Sequence, residues 1–571
     1  MPSTPSFLKE RNVSIGDTGN TFGFIYPASY DIAMAGMTTI TLANLVNSLP
    51  TWRFERVFLP WNPTLQPLSM EHDLSLLQMD ILGFTSQFEP DYLVIGWILN
   101  KSELPLHNQV RRECGQSYPP LVVGGPCAGA NPFPLLDLVD GFFLGDAERS
   151  LHKFLKMIDE KGINDFWMHP EEFNTIQGFW TPHTLDTKGG KYSDLFIGKS
   201  FEEVAGDWKS KFDFVDLDSS PYPLKQTIST LPQHHPYAPV KGETFQLEIG
   251  RGCSHSCRFC MIGSGMFNPA RYRSLAKLLE IVEEGVALTK VSKVDIFGMN
   301  LSDFPHLADL CTALVNQGLK ISIATLRPDK VTKEIIEAIH KGKQTSLTIA
   351  PEAGSERLRY ALCKHISDEQ ILDATQIIFE SQITILKNFF LVGVPTETKE
   401  DRKAIINLVK KQVSIAKSLI KDPLIKVDAN PMVPKWQTPL KDWVYHYLPE
   451  NRDQFHEMLV KFKHQLSKIS YIKAKDVFFD EFLAQTWMTH LELPVNSLFV
   501  RFPLKSHSPL SFYGGYQYLT NFQNELDTTL ERIWKTFKAN NWKVIHRVKA
   551  TKHTDEFFTK QYSSLFRENI F

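Results

Sequence analysis

Three of the seven cysteines of this chain lie together in the segment "RGCSHSCRFCMIG", at Cys253, Cys257 and Cys260. Three thiolates within so short a segment can surround one metal centre. Zinc sites usually combine two cysteine pairs or a cysteine–histidine set, and no second pair is present. A closed 4Fe–4S cluster normally takes four cysteines. A cluster held by these three would leave one iron open to a small molecule, whereas a zinc loop or three incidental core cysteines are the alternatives.

The segments around these cysteines alternate between strand and helix patterns. Five apolar runs are predicted as strands, with helical segments between them, and a sixth follows: "TFQLEIG", "KVDIFGM", "KISIATL", "QTSLTIA", "KNFFLVG" and "IKVDANPM". Their spacing of roughly 25 to 50 residues fits a partial or full barrel of βα units. Such barrels place their reactive groups at the carboxyl ends of the strands. The cysteine segment follows the first predicted strand, so it falls at that end.

The first 150 residues also alternate between strands and helices. The predicted strands lie in "TFGFIYP", "RFERVFLP", "DILGFTS", "PPLVVGG" and "DGFFLGD", and "DIAMAGMTTITLANLVNSL" is predicted as one helix. This order indicates a parallel, doubly wound sheet, whose ligands bind beyond the carboxyl ends of the strands. The segments that follow the strands are rich in Gly, Ser, Asn and Pro, which let a backbone approach a ligand closely.

The chain therefore divides into four predicted regions. Residues 1–150 form the doubly wound domain, and residues 151–240 form a helix followed by an extended, proline-rich linker. Residues 241–440 form the barrel. Residues 441–571 form an α+β, helical and mixed region that we expect to cap the barrel and shape the substrate pocket.

Composition sets wide limits on function. The chain has 571 residues, a net charge of −2 and 43% hydrophobic residues, which is typical of a globular protein without a strong overall field. The longest apolar runs, "YLVIGWIL" and "FFLVGV", are of strand length, short of the roughly 18 residues of a membrane span. We expect no secretory signal and a reduced, cytoplasmic protein, in which Cys114 and Cys127 are isolated buried cysteines.

The cysteine segment resembles the radical S-adenosylmethionine (SAM) superfamily, because Phe259 stands directly before the third cysteine of the C-x-x-x-C-x-φ-C pattern. The resemblance implies that a 4Fe–4S cluster binds the amino and carboxylate groups of SAM at its open iron. One-electron reduction from an external flavodoxin or ferredoxin then cleaves SAM to a 5′-deoxyadenosyl radical.

The resemblance also implies SAM contacts at later strand ends. "DIFGMNLSD" occupies the place of the family's glycine-rich loop but departs from it, and "LVGVPTETKED" resembles the adenine-binding strand end. The implied cofactor-binding residues are Phe259, Asn300, Ser302, Thr325, Arg327, Glu352, Ser355 and Arg357. Each of these would singly fit an ordinary βα turn with a helix cap.

The N-terminal domain resembles the cobalamin-binding subclass of this superfamily, and most closely its uncharacterised members. The similarity rests on the Gly-Gly turn, the Asn-Pro and the Gly-Asp-x-Glu of "GGPCAGANPFPLLDLVDGFFLGDAE", and on "PKWQTPL" after the barrel. It implies cobalamin contacts at Ser86, Gln87, Gly124, Gly125 and Asn131. The Asp-x-His-x-x-Gly motif is absent, so no histidine is expected beneath the cobalt; Tyr30, Met34 or a water would face it, and His72 is expected to be exposed. The alternative is a degenerate domain without a cofactor.

The leading functional hypothesis is a cobalamin-dependent radical SAM methyltransferase acting on an unactivated carbon. The alternative is radical SAM ring formation, rearrangement or carbon–carbon coupling, with cobalamin in another role or absent. A methylthiotransferase would need a second cysteine triplet near the N-terminus. A nucleic-acid-binding protein is a third possibility, because residues 531–571 are basic and contain Trp534 and Trp542; a solvated amphipathic helix explains this run as well. The substrate, whether small molecule, lipid, peptide or RNA, stays open.

Overall fold

The computed structural model describes residues 8–539, apart from residues 15, 17–18, 61, 63, 189, 198, 200, 208, 264–268 and 492–521. The chain forms two compact units. The first is built mainly from the residues up to Phe245, and the second mainly from Gln246 to His490 together with the helix that begins at Gln523. Among the described helices, none combines the length and the apolar character that a membrane crossing requires.

The first unit contains eight strands and nine helices within its described residues. Its strands are β1 (Glu10–Arg11), β2 (Asn20–Ile25), β3 (Trp52–Val57), β4 (Ile81–Thr85), β5 (Leu121–Gly124), β6 (Gly141–Phe143), β7 (Phe179–Trp180) and β8 (Ile228–Ser229). Its helices are α1 (Tyr30–Ala33), α2 (Met37–Val46), α3 (Asp91–Lys101), α4 (Asn108–Cys114), α5 (Pro126–Ala130), α6 (Ala147–Lys161), α7 (Ile163–Met168), α8 (Pro170–Phe173) and α9 (Phe201–Ala205).

Six of these strands form one sheet in the order β3-β2-β4-β5-β6-β7, in which only the β6–β7 pair is antiparallel. This is the flavodoxin-like order of a doubly wound sheet. In such sheets the strand order reverses between the first and third strands, here β2 and β4, and ligands bind at the carboxyl ends there. The predicted α/β fold class is confirmed.

Two local predictions differ from the structure, and one apolar run forms an element that was not assigned from the sequence. The single helix predicted after β2 is two helices, because the chain leaves the helical path at Gly36, the N-cap of α2. The run "YLVIGWIL" is of strand length but lies within α3, whose residues from Asp91 to Leu99 are all buried. Residues 151–240 include β7, which completes the sheet, so this stretch is not only a helix and a linker.

The second unit contains the barrel. Its strands are β9 (Phe245–Arg251), β10 (Arg271–Tyr272), β11 (Lys293–Gly298), β12 (Lys320–Ile323), β13 (Thr325–Leu326), β14 (Ser346–Glu352), β15 (Ile385–Val392), β16 (Leu424–Pro431) and β17 (Ile472–Ala474). The helices are α10 (Leu275–Thr289), α11 (Leu307–Asn316), α12 (Lys333–Lys341), α13 (Glu356–Ala361), α14 (Asp368–Glu380), α15 (Lys399–Leu419), α16 (Pro449–Ser467), α17 (Phe479–Thr489) and α18 (Gln523–Ala539).

The strands of the second unit form two sheets, which are parallel in most of their strand pairs. One sheet has the order β10-β9-β11-β12 and the other β13-β14-β15-β16-β17, and only one residue separates β12 from β13. The pairs from β13 to β17 are parallel, and β10 pairs antiparallel with β9 at one edge. All six predicted barrel strands are present, and the described residues form a partial barrel with β17 added after the sixth strand.

Side-chain caps determine where the barrel helices begin. The hydroxyls of Thr332, Ser355, Ser367 and Thr398 each accept a hydrogen bond from a backbone N–H in the first turn of α12, α13, α14 and α15, respectively. Such caps satisfy amide groups that the helix itself leaves unpaired. The caps at Thr332, Ser355 and Thr398 lie between the carboxyl end of a strand and the next helix, where the residues of the candidate site also lie, and Ser367 lies between α13 and α14.

Candidate active site

The three cysteines lie in the loop that follows β9. Cys257 is buried, and Cys253 and Cys260 are half-buried. The Cys260 N–H donates to the Cys257 carbonyl at 3.1 Å, which makes a turn between them. A β-carbon on Gly263 would lie only 2.6 Å from the His255 carbonyl oxygen, so the end of the loop folds closely back on its start.

Arg258 fastens this loop to the end of α13. Its backbone N–H donates to the Leu362 carbonyl at 3.1 Å, and its buried guanidinium donates to the Ala361 carbonyl at 3.3 Å. Phe259, the aromatic residue of the cysteine pattern, is half-buried next to it. Phe259 therefore lies between two residues whose backbone N–H groups are hydrogen-bonded, Arg258 to Leu362 and Cys260 to Cys257.

The electrostatic surroundings of the thiols combine burial with nearby cations. Burial raises the pKa of Cys257 to about 12; Cys260 and Glu352 also raise it, while Lys364 and Arg327 lower it. Burial also raises the pKa of Cys253, with Cys260 adding to the effect. The sulfur atoms are thus close enough to repel one another as thiolates, and two cations lie near enough to offset an anionic group bound there.

The loop after β11 faces the cysteines through Asp303. Its carboxylate accepts a hydrogen bond from Asn300 at 2.6 Å and one from Ser254 at 3.1 Å, and it lies 2.7 Å from His255 Nε2. Burial and Arg327 lower the pKa of His255 although Asp303 opposes them. A neutral imidazole at pH 7 is the result.

Two further contacts place β11 against the cysteine loop. The Gly252 N–H donates to the sulfur of Met299 at 3.2 Å, and the rest of the Met299 side chain is largely exposed. The Tyr272 hydroxyl donates to the Asn300 carbonyl at 2.8 Å. Asn300, predicted to contact SAM, therefore has its carbonyl engaged by β10 and its side-chain amide engaged by Asp303.

Arg327 lies between the β13 end and the cysteines. Its backbone N–H donates to the Ser302 hydroxyl at 2.8 Å, and its guanidinium pairs with Asp329 at 3.1 Å. Thr325 starts β13 and pairs in register with Thr348. The structure thus brings Ser302, Thr325 and Arg327 to the same edge, with the Arg327 charge near the thiols of Cys253 and Cys257.

Glu352 ends β14 in an uncommon backbone conformation. Its φ of 69° lies in the left-handed region, which costs a non-glycine residue roughly 1–2 kcal/mol. Its carboxylate accepts a hydrogen bond from the buried Lys364 at 2.8 Å, next to Cys257. Strain of this kind is concentrated at functional sites, and the ion pair places one charge of each sign beside the thiol.

Ser355 and Arg357 are engaged with α15. The Ser355 hydroxyl caps α13 and donates to the Asp401 carboxylate, to which Arg357 also donates at 2.5 Å. Arg357 further donates to the Thr396 carbonyl at 2.8 Å. Both residues were predicted to bind SAM, and the structure gives them a network that holds α13 to the start of α15.

In the first unit, the predicted cobalamin contacts lie at the carboxyl ends of β4 and β5. The Ser86 N–H donates to the Gly124 carbonyl at 2.8 Å, and a β-carbon on Gly125 would lie 2.5 Å from the Ser86 carbonyl oxygen. Gly125, at φ +100°, is therefore required for this close approach. The Ser86 hydroxyl is fully buried and has no hydrogen-bond partner among the described residues.

The other predicted contacts of this unit are held by internal hydrogen bonds. Tyr30 is buried and donates to Glu10 at 2.8 Å, and the sulfur of the buried Met34 lies 3.8 Å from Arg56 Nη1. The Gln87 side chain donates back to Thr85 at 2.7 Å, and the Asn131 carboxamide accepts the Phe133 N–H at 3.3 Å. Exposed apolar side chains nearby are Ile32 and Phe88.

The cysteine loop fits an iron–sulfur cluster better than a single metal ion. Among the described residues, no group of three or more His, Cys, Asp or Glu side chains could hold a single metal ion. A 4Fe–4S cluster is held differently, since each cysteine thiolate binds its own iron. The cysteine loop, which Arg258 holds to the end of α13, carries three thiols with Arg327 and Lys364 nearby. This arrangement suits such an anionic cluster.

Comparisons with known proteins agree with this chemistry. Residues 247–409 match the model of the Radical SAM superfamily, and residues 38–182 match that of the N-terminal region of radical SAM proteins. An uncharacterised protein of Methanocaldococcus jannaschii is 30% identical over 416 residues, covering 72% of this chain and 77% of the relative. The chain belongs to the radical SAM superfamily. Membership implies a 4Fe–4S cluster and SAM as cofactors.

More distant radical SAM proteins match in part. Ribosomal protein uS12 methylthiotransferase RimO of Petrotoga mobilis is 27% identical, over 34% of this chain and 44% of its own length. The solved structure of the cobalamin-dependent SAM radical enzyme OxsB, with aqua-cobalamin and SAM bound, has a TM-score of 0.50 at 13% identity. It covers 96% of this chain and 84% of that chain, and it supports the fold.

Several residues around the cysteine loop were absent from the sequence predictions. The contacts of three such residues join segments that are distant in the sequence: Asp303, Arg258 and Lys364. Of these, only Asp303 had a signal in the sequence, because it lies in the loop after a predicted strand. Cys127 is buried as predicted, but Cys114 is exposed at the end of α4. His72 is exposed as predicted and pairs with Glu55.

The basic C-terminal segment lies mostly outside the described residues, including Trp542. Trp534 is within α18 and is buried against Trp443 and Tyr445, with ring centroids 5.5 and 5.4 Å away. Its indole is therefore not available to stack on a nucleic-acid base.

Proposed function

We propose that this protein is a cobalamin-dependent radical SAM methyltransferase that acts on an unactivated carbon. The observation that carries the proposal is the occurrence, in one chain, of the clasped three-cysteine loop after β9 and of the buried, unpartnered Ser86 hydroxyl at the carboxyl edge of a doubly wound sheet. When bound, the reduced cluster supplies the electron that cleaves SAM, and cobalamin supplies the methyl group.

The chain's own residues have defined parts in this proposal. Cys253, Cys257 and Cys260 hold the cluster. Arg327 and Lys364 place positive charge beside it, and an arginine is suited to gripping a carboxylate such as that of SAM. Met299 presents an exposed apolar side chain at the next strand end.

In the first unit, support for cobalamin comes from three features. The strand order reverses at β2 and β4, and Ser86 at the end of β4 has an unused hydrogen-bonding group. Ile32 and Phe88 expose apolar surface that a large, partly apolar ring could cover. The OxsB fold neighbour binds cobalamin. No histidine is proposed as a cobalt ligand, and Tyr30 and Met34 already contact Glu10 and Arg56.

The test is to purify the protein anaerobically, reconstitute it, and supply SAM with a flavodoxin- or ferredoxin-type reductant. Metal analysis should show iron, sulfide and a stoichiometric amount of cobalt. Turnover should then yield both 5′-deoxyadenosine and S-adenosylhomocysteine. Formation of 5′-deoxyadenosine without S-adenosylhomocysteine would contradict methyl transfer while leaving the radical chemistry intact.

That last outcome would favour the second candidate, a radical SAM enzyme for ring formation, rearrangement or carbon–carbon coupling. OxsB, whose fold this chain shares, is described as a cobalamin-dependent radical enzyme, a name that specifies no methyl transfer. A methylthiotransferase is disfavoured because the sequence before Cys253 contains only Cys114 and Cys127, of which one is exposed and the other buried.

A further inference from the structure

Three lysines lie side by side on the barrel sheet. Lys387 of β15 pairs in parallel register with Lys426 of β16, which pairs with Lys473 of β17. Residues opposite each other in a parallel sheet point to the same face. We call Lys387, Lys426 and Lys473 the lysine row.

The row faces the inside of the barrel. On β15 the alternate residues, among them Leu386, Asn388 and Phe390, are buried, and Asn388 accepts a hydrogen bond from Gln412 of α15 at 3.1 Å. That face is therefore the one covered by helices. Helices surround a βα barrel on its outside, so the opposite face, which carries the lysines, is the inner one.

Along the lysine row the inner face is polar, whereas such barrels are usually filled with branched apolar side chains. Lys387 keeps 32% of its side-chain surface exposed, Lys426 is half-buried and Lys473 is exposed. The row continues with hydroxyls, because Lys387 is in register with Thr348 and Thr348 with Thr325. The lysine row is thus at least partly exposed, and it continues into side chains that can donate hydrogen bonds.

The row carries excess positive charge. Asp428, which is buried, pairs with Lys387 at 2.9 Å. In the part of the chain that the structure describes, no carboxylate lies within 4.0 Å of Lys426 or Lys473. Like charges directly opposite each other destabilise a sheet. Neighbouring ammonium groups without carboxylates are therefore arranged for an external anion.

Lysine suits a phosphate better than a carboxylate in this setting. A planar carboxylate is best held by the fork of an arginine, whereas lysine binds tetrahedral phosphate as a point charge. Phe389, on the same face, lies with its ring centroid 4.4 Å from Lys387 Nζ and offers an apolar surface beside the charges.

We propose that the lysine row binds the phosphate group of a small-molecule substrate. This inference rests on the proposed function only in calling the ligand a substrate. Lys387 lies about 16 Å of extended strand below Val392, at the carboxyl end of β15. A substrate anchored there is elongated, with its phosphate deep in the barrel and its reacting carbon near the carboxyl ends of the strands.

The test uses inorganic pyrophosphate as the probe and the full-length protein without SAM or reductant. Isothermal titration calorimetry should show binding that weakens between about 50 and 300 mM salt. The double variant Lys426→Gln/Lys473→Gln should bind pyrophosphate at least about tenfold more weakly. Its melting temperature should equal or exceed that of the wild type, since a like-charge contact is removed.

Lys410→Gln is the matched control, because Lys410 is an exposed lysine of α15 on the outside of the barrel. It should bind pyrophosphate like the wild type. Equal binding by the double variant, or an equal loss in Lys410→Gln, would overturn the proposal. Displacement of pyrophosphate by a single-stranded oligoribonucleotide with far higher affinity would overturn the small-molecule assignment. Because the assay uses no SAM, its failure is separate from any failure to form 5′-deoxyadenosine.

Discussion

Arg357 of α13 donates to the carboxylate of Asp401 in α15 across 2.5 Å, and Asp401 is nearly fully buried. Burial disfavours the charged carboxylate, but the hydrogen bonds from Ser355, the Thr398 N–H and Arg357 outweigh it and hold the pKa of Asp401 below its usual value. The pair therefore stabilises the helix start rather than presenting Arg357 as a free cation.

We expect Asp401→Asn to lower the free energy of unfolding at pH 7 by about 1–3 kcal/mol, because it removes a buried, charge-assisted network. A depressed carboxyl pKa contributes stability above its unfolded value and loses it as pH falls through the folded one. The difference between wild type and variant should thus shrink below about pH 4. Urea titrations at pH 7 and at acidic pH measure it, and a constant difference would contradict the assignment.

The three cysteines should be individually essential for the cluster. Cys253→Ala, Cys257→Ala and Cys260→Ala should each lose most of the bound iron and all 5′-deoxyadenosine formation, because each removes one cluster ligand. Cys114→Ala, which changes an exposed cysteine of the first unit, is the control and should keep both. Iron analysis and product chromatography check this prediction, and full activity in any of the first three would refute the cluster assignment.

Ser86→Ala should separate cobalamin binding from folding. The hydroxyl has no partner in the described structure, so its loss should change the free energy of unfolding by less than about 0.5 kcal/mol. Cobalamin retention, measured by absorption after gel filtration, should fall. Ser102→Ala is a matched control, because its hydroxyl is also buried and unpartnered but lies at the end of α3. Equal retention in both variants would argue against Ser86 as a contact.

Asp91 should make the first unit sensitive to pH. Burial raises the pKa of Asp91 to about 7, although the N–H groups of Phe88 and Gln87 donate to it. A raised carboxyl pKa means that the folded state holds the proton more tightly, so stability falls as pH rises from about 4 to about 7.

Asp91→Asn keeps a carbonyl oxygen for the same two N–H groups and removes the buried charge. It should therefore become more stable than the wild type by about 2–4 kcal/mol above pH 8, and equal to it near pH 4. Thermal melts across this range test the prediction. A variant that is less stable at every pH would show that the charged form is the one that the fold requires.

Trp534→Ala should weaken the packing of α18. The indole lies against Trp443 and Tyr445, and a buried aromatic reduced to alanine costs about 3–5 kcal/mol. Lys535→Ala, at the next and exposed position, should have little effect on the melting temperature. Similar melting temperatures for both variants would show that α18 does not stabilise the second unit.

Most strands of both units, though not their order in the sheets, could be anticipated from short apolar runs at regular spacing, because buried parallel strands leave this pattern in the sequence. "YLVIGWIL" was not assigned to a strand or a helix from the sequence. Tyr92, Ile95 and Ile98 are all buried, so α3 has no polar face to reveal a helical period. Length alone could not separate a buried strand from a buried helix.

The cysteine loop was identifiable because its three ligands are close in the sequence. The structural role of Ser355 and Arg357 was harder to predict, since their common partner, Asp401, lies 46 and 44 residues away. Spacing within one turn cannot show that such residues are already engaged elsewhere. The same limit applies to Arg258, whose role depends on carbonyl groups at the end of α13.

The Arg258 contacts with Ala361 and Leu362 give the cysteine loop its shape independently of any iron. Ordering a loop costs conformational entropy, and here hydrogen bonds within the protein offset the loss of entropy. In the proposed enzyme, incoming iron and sulfide would meet a loop that is already ordered, and cluster assembly would depend on the integrity of α13. We therefore expect an insertion in that helix, although it adds no cysteine and removes none, to impair maturation.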